Sequence, residues 1–302
     1  MAYFYFVLTN VDAEPLLKEE ISIRYPELRL SYSRPGFLTF KGEKPLDFRP
    51  LFARVSGECQ GKFKLNDLKL SKCWVWKRDE ELNIPTELAQ MSDKTLYKVG
   101  ETVTLVMMIG PDEFWVGNYQ LKSNHFQTPG EVSSIEVKDV PSRAYYKLAE
   151  AFEAFDLPFD HQERVLELGS APGGASLFLL EQDMIVLGVD PAEMDKRVTS
   201  NINFKHIRRP FETIIENNFK EDVDWIISDI NLPPTVVLKE VYRMLTFLNP
   251  RGLVLTLKMN QSKHLEVVAS VREQFRKQGF KTVELKYLPS HRQEIALIAL
   301  RS

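Results

Sequence analysis

The sequence predicts an α/β protein: a mainly parallel sheet in the C-terminal half, with its last strand antiparallel, behind a smaller N-terminal α+β domain. Three observations predict it. From residue 164 onward, short β-branched runs alternate with amphipathic stretches, the pattern of strands joined by crossover helices. The first of those runs ends in a glycine-rich turn, at the edge where open α/β sheets take their ligands. The last two runs, Thr282–Tyr287 and Glu294–Leu300, are separated only by the turn Leu288–Arg292. Parallel neighbours need a crossover of about a dozen residues, so this pair must be antiparallel.

The elements follow in order. Ala2–Leu8 reads as a short apolar strand, Ala13–Arg24 as a helix, and Leu28–Lys41 as two short strands around Arg34-Pro35-Gly36. Thr102–Ile109 and Glu113–Gln120 read as a hairpin across Gly110-Pro111-Asp112. Residues 1–125 are assigned to this first domain. Residues 126–140, polar and charged around Pro129-Gly130, are the linker. Residues 141–302 form the second domain, with strands at Arg164–Gly169, Met184–Asp190, Asp224–Asp229 and Gly252–Lys258 before the final pair. Thr235–Leu248 puts Val237, Leu238, Val241, Met244, Leu245 and Leu248 on one helical stripe, ended by Asn249-Pro250-Arg251-Gly252. Lys263–Gly279 is a second helix, with Gly279 as its stop.

Composition narrows the class. The 302 residues are 44% hydrophobic and 27% charged, ordinary for two globular domains. No apolar run reaches the roughly 18–20 residues of a membrane span. The start, MAYFYFVLTN, has neither a basic leader nor a cleavage site, so a cytoplasmic protein off the membrane is expected. Cys59 and Cys73 lack CxxC spacing and a nearby histidine, and read as reduced thiols; no metal site is expected. The net charge is −3, and each half carries slightly more acids than bases. The bulk electrostatic footprint of a nucleic-acid binder is therefore absent, and any such contact must come from local patches.

The glycine turn is Gly169-Ser170-Ala171-Pro172-Gly173-Gly174, entered from the apolar run Val165–Leu168. Glycine there lets the backbone approach a ligand with no Cβ in the way. The spacing is not GxGxxG, which disfavours a dinucleotide, and no GxxxxGK[ST] is present for a nucleoside triphosphate. The next strand ends in Asp190, an acid placed to accept hydrogen bonds from a ribose diol. Four more charged residues fall at element ends: Lys147 in a helix ahead of the sheet, Asp229 and Lys258 closing apolar strands, and Glu294 opening the last one. Any one of them would ordinarily be a solvated strand end. Together, at the ligand edge of a sheet, they are candidates for chemistry.

Glu167-Leu168-Gly169-Ser170-Ala171-Pro172-Gly173-Gly174 resembles the S-adenosylmethionine loop of the FtsJ-type (RrmJ-like) ribose methyltransferases. There the loop reads Asp-Leu-Gly-x-x-Pro-Gly-Gly, usually followed by Trp; Glu167 and Ala175 are this chain's departures. The resemblance implies a Rossmann-like class I methyltransferase sheet. It also implies S-adenosylmethionine as cofactor, held by Glu167, Gly169, Ser170, Ala171, Pro172, Gly173, Gly174, Asp190, Met194 and Asp229. Met194 corresponds to a methionine lining the adenine pocket, with a plain core methionine as the open alternative. Lys147, Asp229, Lys258 and Glu294 resemble the Lys-Asp-Lys-Glu tetrad of ribose 2′-O-methyltransferases, which implies that they are catalytic. A sulfonium methyl donor is already activated, so what remains is to align a hydroxyl and stabilise its oxygen with a lysine. Whether Lys258 is also the general base stays open, since Asp229 and Glu294 would raise its pKa while Lys147 and burial would lower it. After the third strand the family carries an acid toward adenine; here Arg209 stands near that place, in Phe204–Phe211.

Pro141–Phe152, His291–Arg301 and the N-terminal extension resemble, more narrowly, the RlmM-like family. That family methylates a cytidine ribose of 23S ribosomal RNA and carries a ferredoxin-like plus THUMP region. Trp115-Val-Gly-Asn-Tyr119 resembles the end of that region, and the short N-terminal part implies a reduced THUMP-like module. The implied partner is 23S rRNA or a ribosomal precursor, met by a monomer. Arg143, Arg292 and Tyr146 are the first candidate RNA contacts, followed by Tyr145, Arg208, Arg209, Lys263, His264 and His291. Lys69, Lys72, Trp74, Trp76, Lys77 and Arg78 form a basic-aromatic cluster suited to single-stranded RNA, or else an amphipathic strand with a solvated face. Other readings stay open. The protein could keep the fold while acting on another RNA or binding RNA without catalysis, as Arg209 and the net charge suggest. A methyltransferase of non-RNA substrates, or a cap-type enzyme, would have no evident use for the tetrad or no aromatic cap pocket, respectively.

Overall fold

The computed structural model describes residues 2–92, 97–122, 135–261 and 264–301. Two units are distinguished, Met1–Ser134 and Ile135–Ser302. Lys263 and most of the expected linker (126–134) lie outside the described residues.

The first unit contains β1 (Tyr3–Leu8), α1 (Glu14–Arg24), β2 (Arg29–Arg34), β3 (Phe37–Gly42), β4 (Val55–Phe63), β5 (Trp74–Lys77), α2 (Thr86–Met91), β6 (Thr102–Gly110) and β7 (Glu113–Gln120). Its sheet order is β2-β3-β1-β4-β7-β6-β5. Every neighbouring pair is antiparallel except β5 with β6. Against the βαββαβ order of a ferredoxin-like motif, the second helix is missing: residues 43–54 carry none. Side chains order that stretch instead. Glu20, 2% exposed on α1, accepts the N–H groups of Leu51 at 2.6 Å and Phe52 at 3.1 Å, and Thr9 donates its hydroxyl to the Phe52 carbonyl at 2.6 Å.

This sheet curls until its two ends approach each other. The Phe37 ring on β3 lies 6.5 Å from Trp76 on β5, and Tyr32 on β2 lies 4.8 Å from Trp115 on β7. The Tyr32 hydroxyl and the Trp115 indole both donate to Glu113. Phe6, Leu8, Phe37, Leu105 and Met107 fill the interior. Trp74 belongs to the same core, edge-on to Tyr97 at 5.4 Å, so of the basic-aromatic cluster this ring is packing rather than a stacking surface. Cys59 and Cys73 are buried and free, and burial pushes both thiols up to about 11.

The second unit contains α3 (Ala144–Phe155), β8 (Arg164–Leu168), α4 (Gly174–Glu181), β9 (Ile185–Val189), α5 (Lys196–Thr199), β10 (Phe204–Ile207), β11 (Trp225–Ser228), α6 (Pro234–Met244), β12 (Gly252–Lys258), α7 (His264–Lys277), β13 (Thr282–Lys286) and β14 (Glu294–Leu300). The order is β10-β9-β8-β11-β12-β14-β13. The first five run parallel, and β14 is antiparallel to both neighbours. This is the Rossmann-like sheet with a reversed last strand that the sequence predicts. Val165, Leu166, Trp225, Ile226, Leu253, Leu255 and Leu257 are all fully buried, as expected for strands covered on both faces. Gly279 stops α7 at φ +88°. The chain works outward from β8 to β10, then restarts at β11 on the other side of β8. That reversal is a topological switch point, and it opens a crevice beyond the carboxyl ends of β8 and β11.

Candidate active site

The glycine turn follows β8 at this crevice. Gly169 has φ +72° and Gly173, which caps α4, has φ +114°; both conformations favour glycine. Gly174 has a different reason. A Cβ there would meet Ser142 Oγ at 2.2 Å and the Ser142 carbonyl at 2.7 Å, so this glycine lets the start of α3 lie against the start of α4. The turn is moored on its far side: the Asp195 N–H donates to the Pro172 carbonyl at 2.8 Å, and Ser170 Oγ lies 3.5 Å from Met194 Sδ.

Asp190, just past β9, accepts N–H groups from Ala171 at 3.2 Å and Ala192 at 2.8 Å. His206 on β10 hydrogen-bonds the Asp190 carbonyl at 2.9 Å, and Arg208 donates to the Pro191 carbonyl at 3.2 Å. Arg209 is exposed beyond them. Glu167, one residue before the end of β8, is 3% exposed and accepts the Ser176 hydroxyl of α4. Burial is the main cause of its raised pKa; Ser176 opposes, Asp229 and Asp190 reinforce, and the carboxyl is pushed up to about 8.

Four side chains, three from α3, β12 and β14 and one from the residue just past β11, meet at the other lip of the crevice. Lys147 Nζ on α3 lies 3.1 Å from Asp229 Oδ2 and 2.9 Å from Glu294 Oε1. Lys258 Nζ lies 2.8 Å from Asp229 Oδ1 and 3.1 Å from the same Glu294 oxygen. Two ammonium groups thus share two carboxylates. Lys258 and Glu294 are direct partners in the β12–β14 register, so strand pairing itself sets one side of the network. Burial opposes the charged form of Lys258, but Asp229 and Glu294 outweigh it and its pKa is raised. Burial likewise opposes ionised Glu294, yet Lys147 and Lys258 hold it below the usual carboxylate range. Its Oε2 is buried with no hydrogen-bond partner among the described residues. Both shifts favour the charged forms of Lys258 and Glu294.

The turn leading to Glu294 is held from α3. Arg143 donates to the Ser290 carbonyl at 2.7 Å, and Glu150, 1% exposed, accepts the Ser290 N–H at 2.9 Å. Three expected RNA contacts are corrected by burial. His291 is 1% exposed and His264 2%, and Tyr145 is buried against Phe178 with its hydroxyl on Glu181 at 2.6 Å. Burial drives the His291 pKa down to about 4, with Glu294 only partly offsetting it. The Tyr146 hydroxyl is used within the chain, donating to the Lys138 carbonyl at 2.7 Å and accepting its N–H at 3.0 Å. Arg143, Arg208, Arg209 and Arg292 stay exposed. Glu150 and Ser176 carry no sequence signal of their own.

Residues 140–296, just over half of the chain, match the profile of the family described as FtsJ-like methyltransferase. The chain is similar to the ribosomal RNA large subunit methyltransferase M of Idiomarina loihiensis, with 27% identity over 225 residues, 68% of this chain and 58% of that protein. The protein of the same name from Photorhabdus asymbiotica is 26% identical over 238 residues, 72% of this chain and 63% of that one. Shewanella denitrificans has another, 32% identical over 145 residues, 44% of this chain and 37% of that one. The chain covers less than two thirds of the length of each of these relatives.

Proposed function

Because the chain belongs to the FtsJ-like methyltransferase family, we propose that it transfers a methyl group from S-adenosylmethionine to a ribose 2′-hydroxyl of RNA. The observation that carries this reading is the shared-charge network of Lys147, Asp229, Lys258 and Glu294 beside the glycine turn. Transfer to a nitrogen or a carboxylate has no use for such a network. The large-subunit ribosomal RNA named for the relatives supports ribosomal RNA as substrate, and a 23S cytidine is the specific target proposed. The proposed setting is the cytoplasm, with the protein acting as a monomer. Among the described residues, no helix is long and apolar enough to cross a membrane.

The crevice suits the cofactor. Gly169 and Gly173 keep the turn clear of Cβ atoms, and Asp190 offers a carboxylate to a ribose diol. In this reading Glu167 and the turn Gly169-Ser170-Ala171-Pro172-Gly173-Gly174 hold the methionine end, Met194 flanks adenine, and Asp229 bridges to the tetrad. When bound, S-adenosylmethionine supplies a methyl group already activated on a sulfonium. The chain's own residues then have to align the hydroxyl and carry its charge. Lys258, held charged by Asp229 and Glu294, donates to the ribose oxygen as negative charge grows there. Lys147 fixes both carboxylates, which keeps the Lys258 ammonium in place. A lysine with a raised pKa and a glutamate with a lowered one are both poor resting bases. The hydroxyl proton released as the O–CH3 bond forms passes to solvent, and alignment and electrostatics, rather than a strong base, are therefore the proposed source of rate.

The test is transfer of labelled methyl onto ribosomal RNA, free and in assembled subunits, followed by mapping of the modified nucleotide. Wild type should label one ribose. Lys258→Ala should lose about 10²–10³ or more in rate while cofactor binding persists. Near-normal turnover in that variant would refute the tetrad assignment. Labelling of no ribosomal substrate would favour another RNA or binding without catalysis.

A further inference from the structure

We propose that Arg143 and Glu150 are positioning residues of the transfer: by gripping the backbone of Ser290 from α3, they set where Glu294 stands relative to Lys147 and Lys258. This rests on the tetrad reading above and extends that site to two side chains outside the tetrad.

Arg143, at the cap of α3, Lys147 and Glu150 follow one another at i, i+4 and i+7, so they lie along a single face of the helix. The middle residue belongs to the tetrad, and the outer two reach the same residue of the turn before β14. Arg143 Nη2 donates to the Ser290 carbonyl at 2.7 Å, and the Ser290 N–H donates to Glu150 Oε2 at 2.9 Å. Both backbone polar groups of Ser290 are thus taken by one helix, from either side of Lys147. Glu150 is 1% exposed. A carboxyl at that depth is a costly way to hold a turn unless the bond it makes is needed.

Glu294 opens β14, shortly after Ser290 in the chain. Its strand side is set by pairing: it faces Lys258 in the β12–β14 register, and the Met259 N–H donates to the Gln293 carbonyl at 2.6 Å. Pairing does not set the distance from that strand to α3, yet Lys147 must reach the same carboxylate oxygen from the helix, at 2.9 Å. The grip on Ser290 spans this gap just ahead of Glu294. Loss of either bond lets the turn, and Glu294 with it, draw away from α3. Lys258 reports such a movement. The charged groups around it are Asp229 after β11, Glu294 on β14 and Lys147 on α3; burial drives His291, in the turn, toward its neutral form. Burial is the largest single influence on Lys258 and opposes its charge, while Asp229 and Glu294 together outweigh it. With Glu294 drawn off, burial gains and the ammonium loses its proton at lower pH.

Two measurements on the full chain test this. NMR titration of the lysine ε-carbons, with the Lys258 signal identified by its absence in Lys258→Arg, needs no RNA. In Arg143→Ala and in Glu150→Ala that signal should titrate at lower pH than in wild type. In Glu150→Gln, which keeps an oxygen for the Ser290 N–H, it should return most of the way. Methyl transfer to ribosomal RNA should follow the same order. In the two alanine variants kcat should fall about 10–10²-fold, the cost of a misplacement of about 1 Å, with KM for RNA and affinity for S-adenosylmethionine held within about twofold. Glu150→Gln should recover most of kcat. Wild-type Lys258 titration and wild-type kcat in both alanine variants would overturn the proposal. So would a raised KM with unchanged kcat in Arg143→Ala, which would make that arginine an RNA contact. Arg143 is exposed, so its removal opens no core and the test stands if Glu150→Ala does not fold. Wild-type protein that labels no RNA would count against the proposed function, while the titration still decides the grip on the tetrad.

Discussion

Glu167 and His291 are both buried beside the crevice, and they make stability depend on pH in opposite directions. Glu167 has its pKa raised from 4.5 to about 8, so the folded state holds its proton more tightly than the unfolded chain. Its contribution is full below about pH 4.5 and is lost as pH climbs through 8. His291 has its pKa lowered from 6.5 to about 4, so the unfolded chain is the better proton binder. Its contribution is present above pH 6.5 and is lost as pH falls toward 4. At about 1.4 kcal/mol per unit, the His291 effect has a ceiling of about 3 kcal/mol. Thermal melts of Glu167→Gln should lose less stability than wild type between about pH 5 and pH 9. His291→Gln should flatten the acid limb. Parallel curves for either variant and wild type would show that the side chain is not buried as described. The sequence marks Glu167, because it sits in the turn motif. It conceals His291, because a polar residue in a Pro-Ser-His-Arg turn reads as surface; only the fastening of that turn by Arg143 and Glu150 puts the ring inside.

At the scale of elements, the contact between α3 and α4 depends on one missing side chain. Gly174→Ala would drive a Cβ into Ser142 and toward the Tyr145 backbone N. Overpacking of this kind costs about 1–3 kcal/mol, measurable by denaturant unfolding. Because α3 carries Lys147, methyl transfer should fall further than stability alone explains. Adding Ser142→Ala should restore only part of the loss, since the Ser142 carbonyl remains in the way; full restoration would mean that the backbone can yield. Strands with unbroken apolar runs were legible from sequence: Gly252–Lys258 and Glu294–Leu300 have those very bounds in the fold. β4 was not. Its VSGECQGKF alternates poorly, and a bulge between Cys59 and Gly61 breaks the period, although it is a central strand of its sheet. β10 is a four-residue edge strand, half polar, with too few positions for a pattern to register. The residues of the site were legible through motif and position, but their geometry was not. That Lys258 faces Glu294 follows from register, which no local pattern specifies.

For the whole molecule, a net charge of −3 limits how an RNA can be held. Affinity from a few exposed arginines gives a shallow salt dependence, about 0.7 in log–log slope for each phosphate on a single strand. Arg292→Ala should weaken binding of ribosomal RNA and reduce that slope by about one phosphate's share; an unchanged slope would remove Arg292 from the contact. The first unit has its largest aromatic rings turned into its own curl, so stacking on bases is not where its rings are committed. The position of β14, wedged between β12 and β13, also bears on how the protein is made. Chains fold as they are synthesised, N-terminal parts first, yet this inner strand is translated after both of its neighbours. Until residue 300 clears the ribosome, β12 has a bare apolar edge, a template for pairing with a stranger. A chain stalled before Glu294 is therefore a hazard to its neighbours as well as inert, and prompt release or disposal of such fragments matters more here than for a sheet whose last strand closes an outer edge.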